Sequence, residues 1–90
     1  MITFSITVFG KVQGVYFRQS TKEMAVAFGL TGQVENLSNG SVYIVATGTK
    51  EQLEKLVAWC KQGPAKASVT DIEVIEISEQ HFDGFSIVRR

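Results

Sequence analysis

Two short runs that alternate apolar and polar residues, Thr31 to Leu37 and Ser41 to Thr47, meet at Ser38-Asn39-Gly40. This is a hairpin signal, because asparagine and glycine tolerate the left-handed backbone that a tight reversal needs. The register follows from where the charge must go. A two-residue Asn39-Gly40 loop sets Val34 opposite Val45 and puts Glu35 on the face shared by Val42 and Ile44. A three-residue loop with Gly40 left-handed sets Val34 opposite Ile44 and Asn36 opposite Val42. It keeps Glu35 off the apolar face, so it is the expected register. Asn36 then ends its strand on the core-facing side, beside the turn.

The flanking segments extend the pattern. Phe4, Ile6 and Val8 alternate with Ser5 and Thr7 as a first strand. Gly10 to Val15 reads as a loop. From Phe17 to Phe28 the period lengthens, and Phe17, Thr21, Met24, Ala25 and Phe28 share one helical face before Gly29 stops the helix. After the hairpin, Thr49-Lys50-Glu51-Gln52 forms a capping box, and Leu53, Leu56, Val57 and Cys60 make a second buried stripe that ends at Gly63-Pro64. Ile72 to Ile77 reads as a strand with a bulge expected at Val74-Ile75. His81 to Gly84 reads as a loop, and Phe85, Ile87 and Val88 as a short closing strand. Strand, helix, strand, strand, helix, strand is the order of a split βαβ, ferredoxin-like α+β sandwich. An antiparallel sheet with two helices on one face is expected. That architecture hosts many activities, so function must be argued from particular residues.

Length and charge narrow the classes. Ninety residues suit one domain. Nine basic and nine acidic residues cancel, so no broad positive field favours a nucleic-acid backbone, and no nucleic-acid partner is expected. No apolar run approaches the roughly 20 residues needed to span a bilayer, so no membrane partner is expected. The alternating N-terminal stretch lacks the apolar core of a signal peptide. Cys60 is the only cysteine, which rules out an intrachain disulfide and suits a reducing compartment. A cytoplasmic monomer is expected. No His, Cys or carboxylate cluster has metal-ligand spacing, so neither a metal nor another cofactor is implied.

The segment that can carry chemistry is Gly10-Lys11-Val12-Gln13-Gly14-Val15-Tyr16-Phe17-Arg18. Glycines let the backbone curl so that amide hydrogens point inward as an anion nest, and the helix beyond presents unpaired N–H groups. Arg18 falls in the first helical turn, where a cation opposes the positive end of the helix dipole. A bound anion resolves that conflict. The residues alone also allow a plainer reading, in which the glycines only shape a loop and Arg18 is a solvated surface residue. The glycine spacing fits neither a Walker A loop nor a dinucleotide fingerprint. Asn36 is the second candidate, since its amide offers a donor and an acceptor at the mouth of that loop. A hairpin asparagine that bonds its own backbone is the commoner case, and Asn39 is assigned to it. His81 has no evident partner, and Cys60 is read as a small apolar packing group.

Gly10 to Arg18 resembles the first signature of the acylphosphatase family. Gly32-Gln33-Val34-Glu35-Asn36-Leu37-Ser38-Asn39-Gly40-Ser41-Val42 resembles the second, more loosely. The likeness runs from the first strand to Phe85-Ser86-Ile87, so residues 1–90 are taken as one acylphosphatase-like domain. The resemblance implies hydrolysis of an acyl phosphate to a carboxylate and inorganic phosphate, with no metal and no covalent intermediate. It implies that Arg18 holds the phosphate with the backbone amides of Gln13, Gly14, Val15, Tyr16 and Phe17. Asn36 would position the attacking water, and Thr21 would support the site. Gln33, Glu35 and Tyr43 depart from the family pattern, and Glu35 would modestly weaken attraction of an anionic substrate. Two other readings remain: an anion-binding module without turnover, and an RNA-binding domain of like topology. The second is disfavoured by zero net charge and by Tyr16-Phe17 preceding a helix rather than lying on central strands.

Overall fold

The computed structural model describes residues 1–89; Arg90, the last residue of the expected unit, lies outside the described residues. The elements are β1 (Ile2–Lys11), α1 (Phe17–Ala27), β2 (Thr31–Asn36), β3 (Val42–Gly48), α2 (Lys50–Cys60), β4 (Ser68–Ile77) and β5 (Phe85–Val88). They form one five-stranded sheet in the order β4-β1-β3-β2-β5. The α+β sandwich expected from the element order is present, with two helices packed on the sheet.

One expectation needs correction. The first four strands pair antiparallel, but β5 runs parallel to β2, so the sheet is mixed. The cause is connectivity. β4 lies at one edge and β5 at the other, so the chain crosses the end of the sheet between them and enters the far edge in the direction of β2.

Core residues come from both layers. Ile6, Val8, Val34, Val42, Ile44 and Ala46 of the strands meet Phe17, Ala25, Leu53, Leu56 and Cys60 of the helices, all buried. Each such large side chain contributes roughly 1.5–3 kcal/mol relative to exposure. Phe17 and Trp59 pack ring to ring at 5.4 Å and join the start of α1 to α2. The capping box of α2 is formed. Thr49 Oγ1 accepts from the Gln52 amide at 3.2 Å, and Gln52 Oε1 accepts from the Thr49 amide at 2.8 Å.

The hairpin register is the one the charge argument chose, with Val34 opposite Ile44, Asn36 opposite Val42, and Gly40 at φ 92. Two boundaries differ from expectation. β1 runs on through Gly10 and Lys11, so the loop to α1 begins at Val12. The sheet irregularity lies between Phe9 and Gly10, not at Val74-Ile75, whose pairing with Ile6 and Ser5 is regular. Gly10 sits there at φ 122, and a Cβ on it would strike the backbone of Ser68 and Thr70. β4 is also longer than expected. It is a largely exposed edge strand whose Val69 and Ile72 pack against the core, and the extra residue Thr70 between them breaks the alternation.

Candidate active site

The site forms where β1 ends. Beyond Lys11 the chain turns through Val12 to Tyr16 and enters α1. Val12 and Val15 are buried and pin the loop to the core, while Tyr16 at its end is exposed. Gly14 has φ 74, and the helix N-cap Tyr16 has φ 62, the one positive-φ residue among the described residues that is not glycine. A bulky residue held there costs of order 1–3 kcal/mol, and such strain concentrates at functional sites. The N-cap supplies no side-chain hydrogen bond, and the first turn of α1 holds no acidic residue. The first intrahelical donor is the Ser20 amide, which bonds the Tyr16 carbonyl at 3.0 Å. The amides of Phe17, Arg18 and Gln19 meet no acceptor among the described residues. This helix start therefore presents bare donors and a cation together, and such donors are open to water or to an anion.

These groups line a cleft of about 390 Å³ with Val12, Gly14, Tyr16, Phe17, Arg18, Gln19, Asn36 and Arg89 around it. Arg18 makes no ion pair with any described residue. Asn36 reaches the cleft from the end of β2, on the face it shares with Val34. Its Oδ1 is buried and has no hydrogen-bond partner among the described residues. Nearly all buried polar atoms are paired, so an unpaired one on a residue that lines a cleft singles that residue out.

The candidates sort clearly. Gly14, Tyr16, Phe17, Arg18 and Asn36 come together around one cleft. The Gln13 and Val15 side chains do not line it: Val15 packs in the core, and Gln13 turns toward the hairpin. Thr21 is buried one turn into α1 and donates its hydroxyl to the Phe17 carbonyl at 2.8 Å, which steadies the first turn. Asn39 has the turn role assigned to it, with Oδ1 accepting from the Ser41 amide at 3.0 Å and from the Ser41 hydroxyl at 2.6 Å. Cys60 is buried, and burial pushes its thiol up to about 12, so it stays neutral. His81 is exposed and lies 4.0 Å from Glu79.

Arg89 was not anticipated. Parallel pairing sets Val88 beside Glu35, so the next residue comes level with Asn36 at the rim of the cleft. Only the direction of β5 reveals this, and strand direction is not local information.

A cation, a helix start with unpaired amides and a buried amide oxygen without a partner among the described residues all belong to residues around one cleft of this sandwich. The family model for acylphosphatase matches residues 4–87. The curated acylphosphatase of Pelotomaculum thermopropionicum is 46% identical over 83 residues, covering 91% of this chain and 90% of that one. The acylphosphatase of Acaryochloris marina is 43% identical over 89 residues, covering 99% and 96%. The crystal structure of acylphosphatase from Bacillus subtilis superposes with a TM-score of 0.95 at 39% identity, covering 99% of this chain and all of that one. The chain belongs to the acylphosphatase family.

Proposed function

We propose that this chain hydrolyses the carboxyl-phosphate bond of acyl phosphates by direct attack of water on phosphorus. Membership of the family makes it an enzyme acting on acyl phosphates; the roles of individual residues are our reading of the cleft. Arg18 and the amides at the start of α1 hold the phosphoryl oxygens and take up charge as it shifts in the transition state. A water donates one hydrogen to Asn36 Oδ1, which leaves a lone pair free to face the phosphorus. The new oxygen–phosphorus bond forms as the bond to the carboxylate breaks. The carboxylate departs with the bonding pair, and a phosphoryl oxygen takes the water's proton. An asparagine cannot act as a base, and none is required, because a carboxylate is already a good leaving group. Positioning supplies most of the effect.

The observation that carries this reading is the buried Oδ1 of Asn36, without a partner among the described residues, on a residue that lines the same cleft as Arg18. An anion-binding module has no use for it. The test is release of inorganic phosphate from benzoyl phosphate with EDTA present. Release is expected from the wild type and not from Arg18→Ala. Phosphate binding by a folded wild type without turnover would favour the binding-module reading.

A further inference from the structure

The loop that precedes α1 and the strand end that bears Asn36 come from distant parts of the chain. The sheet joins them only as far as Val8, which pairs with Val42. Beyond that point the first segment leaves β3, and one side chain bridges the gap. Gln13 Nε2 donates to the Leu37 carbonyl at 2.8 Å and to the Ser41 carbonyl at 2.9 Å. Both of its hydrogens are used, and both acceptors flank the Asn36–Val42 pair: Leu37 follows Asn36, and Ser41 precedes Val42. Leu37 and Ser41 are also bonded to each other, amide to carbonyl, at 2.9 Å. The amide orientation is forced, because the other rotamer would aim Oε1 at two acceptors. Among the described residues these are the only hydrogen bonds between residues 12–17 and 36–41. On the other side of Gln13, the next residue is Gly14, which lines the cleft.

We infer that Gln13 is a positioning residue whose side-chain amide fixes the spacing and angle between the phosphate-holding loop and Asn36 Oδ1. This rests on the water-positioning reading of Asn36 given above. Arg18 and the loop amides belong to one continuous segment, so they keep their own geometry if the bridge is lost. Asn36 then drifts relative to them. Phosphate still binds, but the water leaves the line of attack, and a misplacement of about 1 Å is enough to cost around 100-fold in rate. Gln13 therefore governs turnover and not anion affinity.

The test is a double-mutant cycle, with kcat for benzoyl phosphate and the competitive inhibition constant of inorganic phosphate read for each protein. Gln13→Met keeps the length of the side chain and removes both donors. Gln13→Asn keeps the amide but withdraws it by one methylene, and serves if the methionine variant does not fold. Either variant is expected to lose about 10- to 100-fold in kcat, with phosphate inhibition unchanged within about twofold. In an Asn36→Ala background the same substitution should change kcat by less than about threefold, because there is no water-holding group left to misplace. Equal losses in both backgrounds, or weaker phosphate inhibition in step with kcat, would show that Gln13 acts on the loop itself and would overturn the inference. If Asn36→Ala alone keeps normal turnover, the water-positioning reading falls and takes this inference with it. If Asn36→Ala loses turnover while both Gln13 variants keep it, only this inference falls.

Discussion

The two ends of the sheet treat buried polar groups in opposite ways. At the end away from the cleft, Thr3 and Thr47 are buried side by side, with their hydroxyl oxygens 2.7 Å apart. Thr47 donates to the Gln80 carbonyl at 2.8 Å, and the Gln80 amide donates to Thr3 at 2.9 Å. This closed ring holds the crossing segment between β4 and β5, and each polar atom named has a partner. At the cleft end, among the described residues, Asn36 Oδ1 is buried without one and three helix amides find no acceptor, and Arg18 opposes the helix dipole. Satisfied polar burial stabilises the fold, whereas a buried polar atom left unpaired beside unpaired helix amides costs stability there, and the reading proposed above gives that cost a purpose.

Substitutions at the two ends should therefore separate activity from stability. The largest effect is expected at Arg18. Arg18→Ala should lower kcat/KM for benzoyl phosphate by about 10³-fold or more, since it removes the one cation in the first turn of α1. Its thermal midpoint should hold or rise, because a cation at a helix N-terminus costs roughly 0.3–1 kcal/mol. Steady-state kinetics beside a thermal melt would check both halves. Thr3→Val should do the reverse. Losing two hydrogen bonds within a buried ring should cost about 1–3 kcal/mol in denaturant unfolding and leave kcat unchanged. The smallest effect belongs to Arg89, an exposed rim cation. Arg89→Ala should raise KM by about threefold at low salt, and the difference should fade as ionic strength screens the charge. A KM series against sodium chloride would read this directly.

What the sequence revealed was local. Gly40 and the need to keep Glu35 off the apolar face selected the hairpin register, and through it the position of Asn36. Thr49 and Gln52 announced the start of α2 because a capping box lies within four residues. Arg18 could be suspected from its sequence neighbours alone, since a cation directly after a glycine loop is a local contradiction. Non-local features stayed hidden. The parallel run of β5, and with it Arg89, depends on which edge the chain reaches after β4. Residues 68–71 showed no clear alternation because the irregularity at Phe9-Gly10 leaves Thr70 as an extra residue and sets Val69 and Ile72, which pack against the core, three positions apart. The bridge from Gln13 spans 24 and 28 residues, and no periodicity records a contact of that kind.

Asn36 carries the central claim, so Asn36→Leu tests it most directly. Leucine nearly matches asparagine in shape and replaces the unpaired oxygen with an apolar group. Turnover of benzoyl phosphate by this variant should fall by about 100-fold or more, with phosphate inhibition kept within about twofold and stability equal to or above that of the wild type. Turnover at the wild-type rate would contradict the account, because the buried oxygen would then hold no water that the reaction needs.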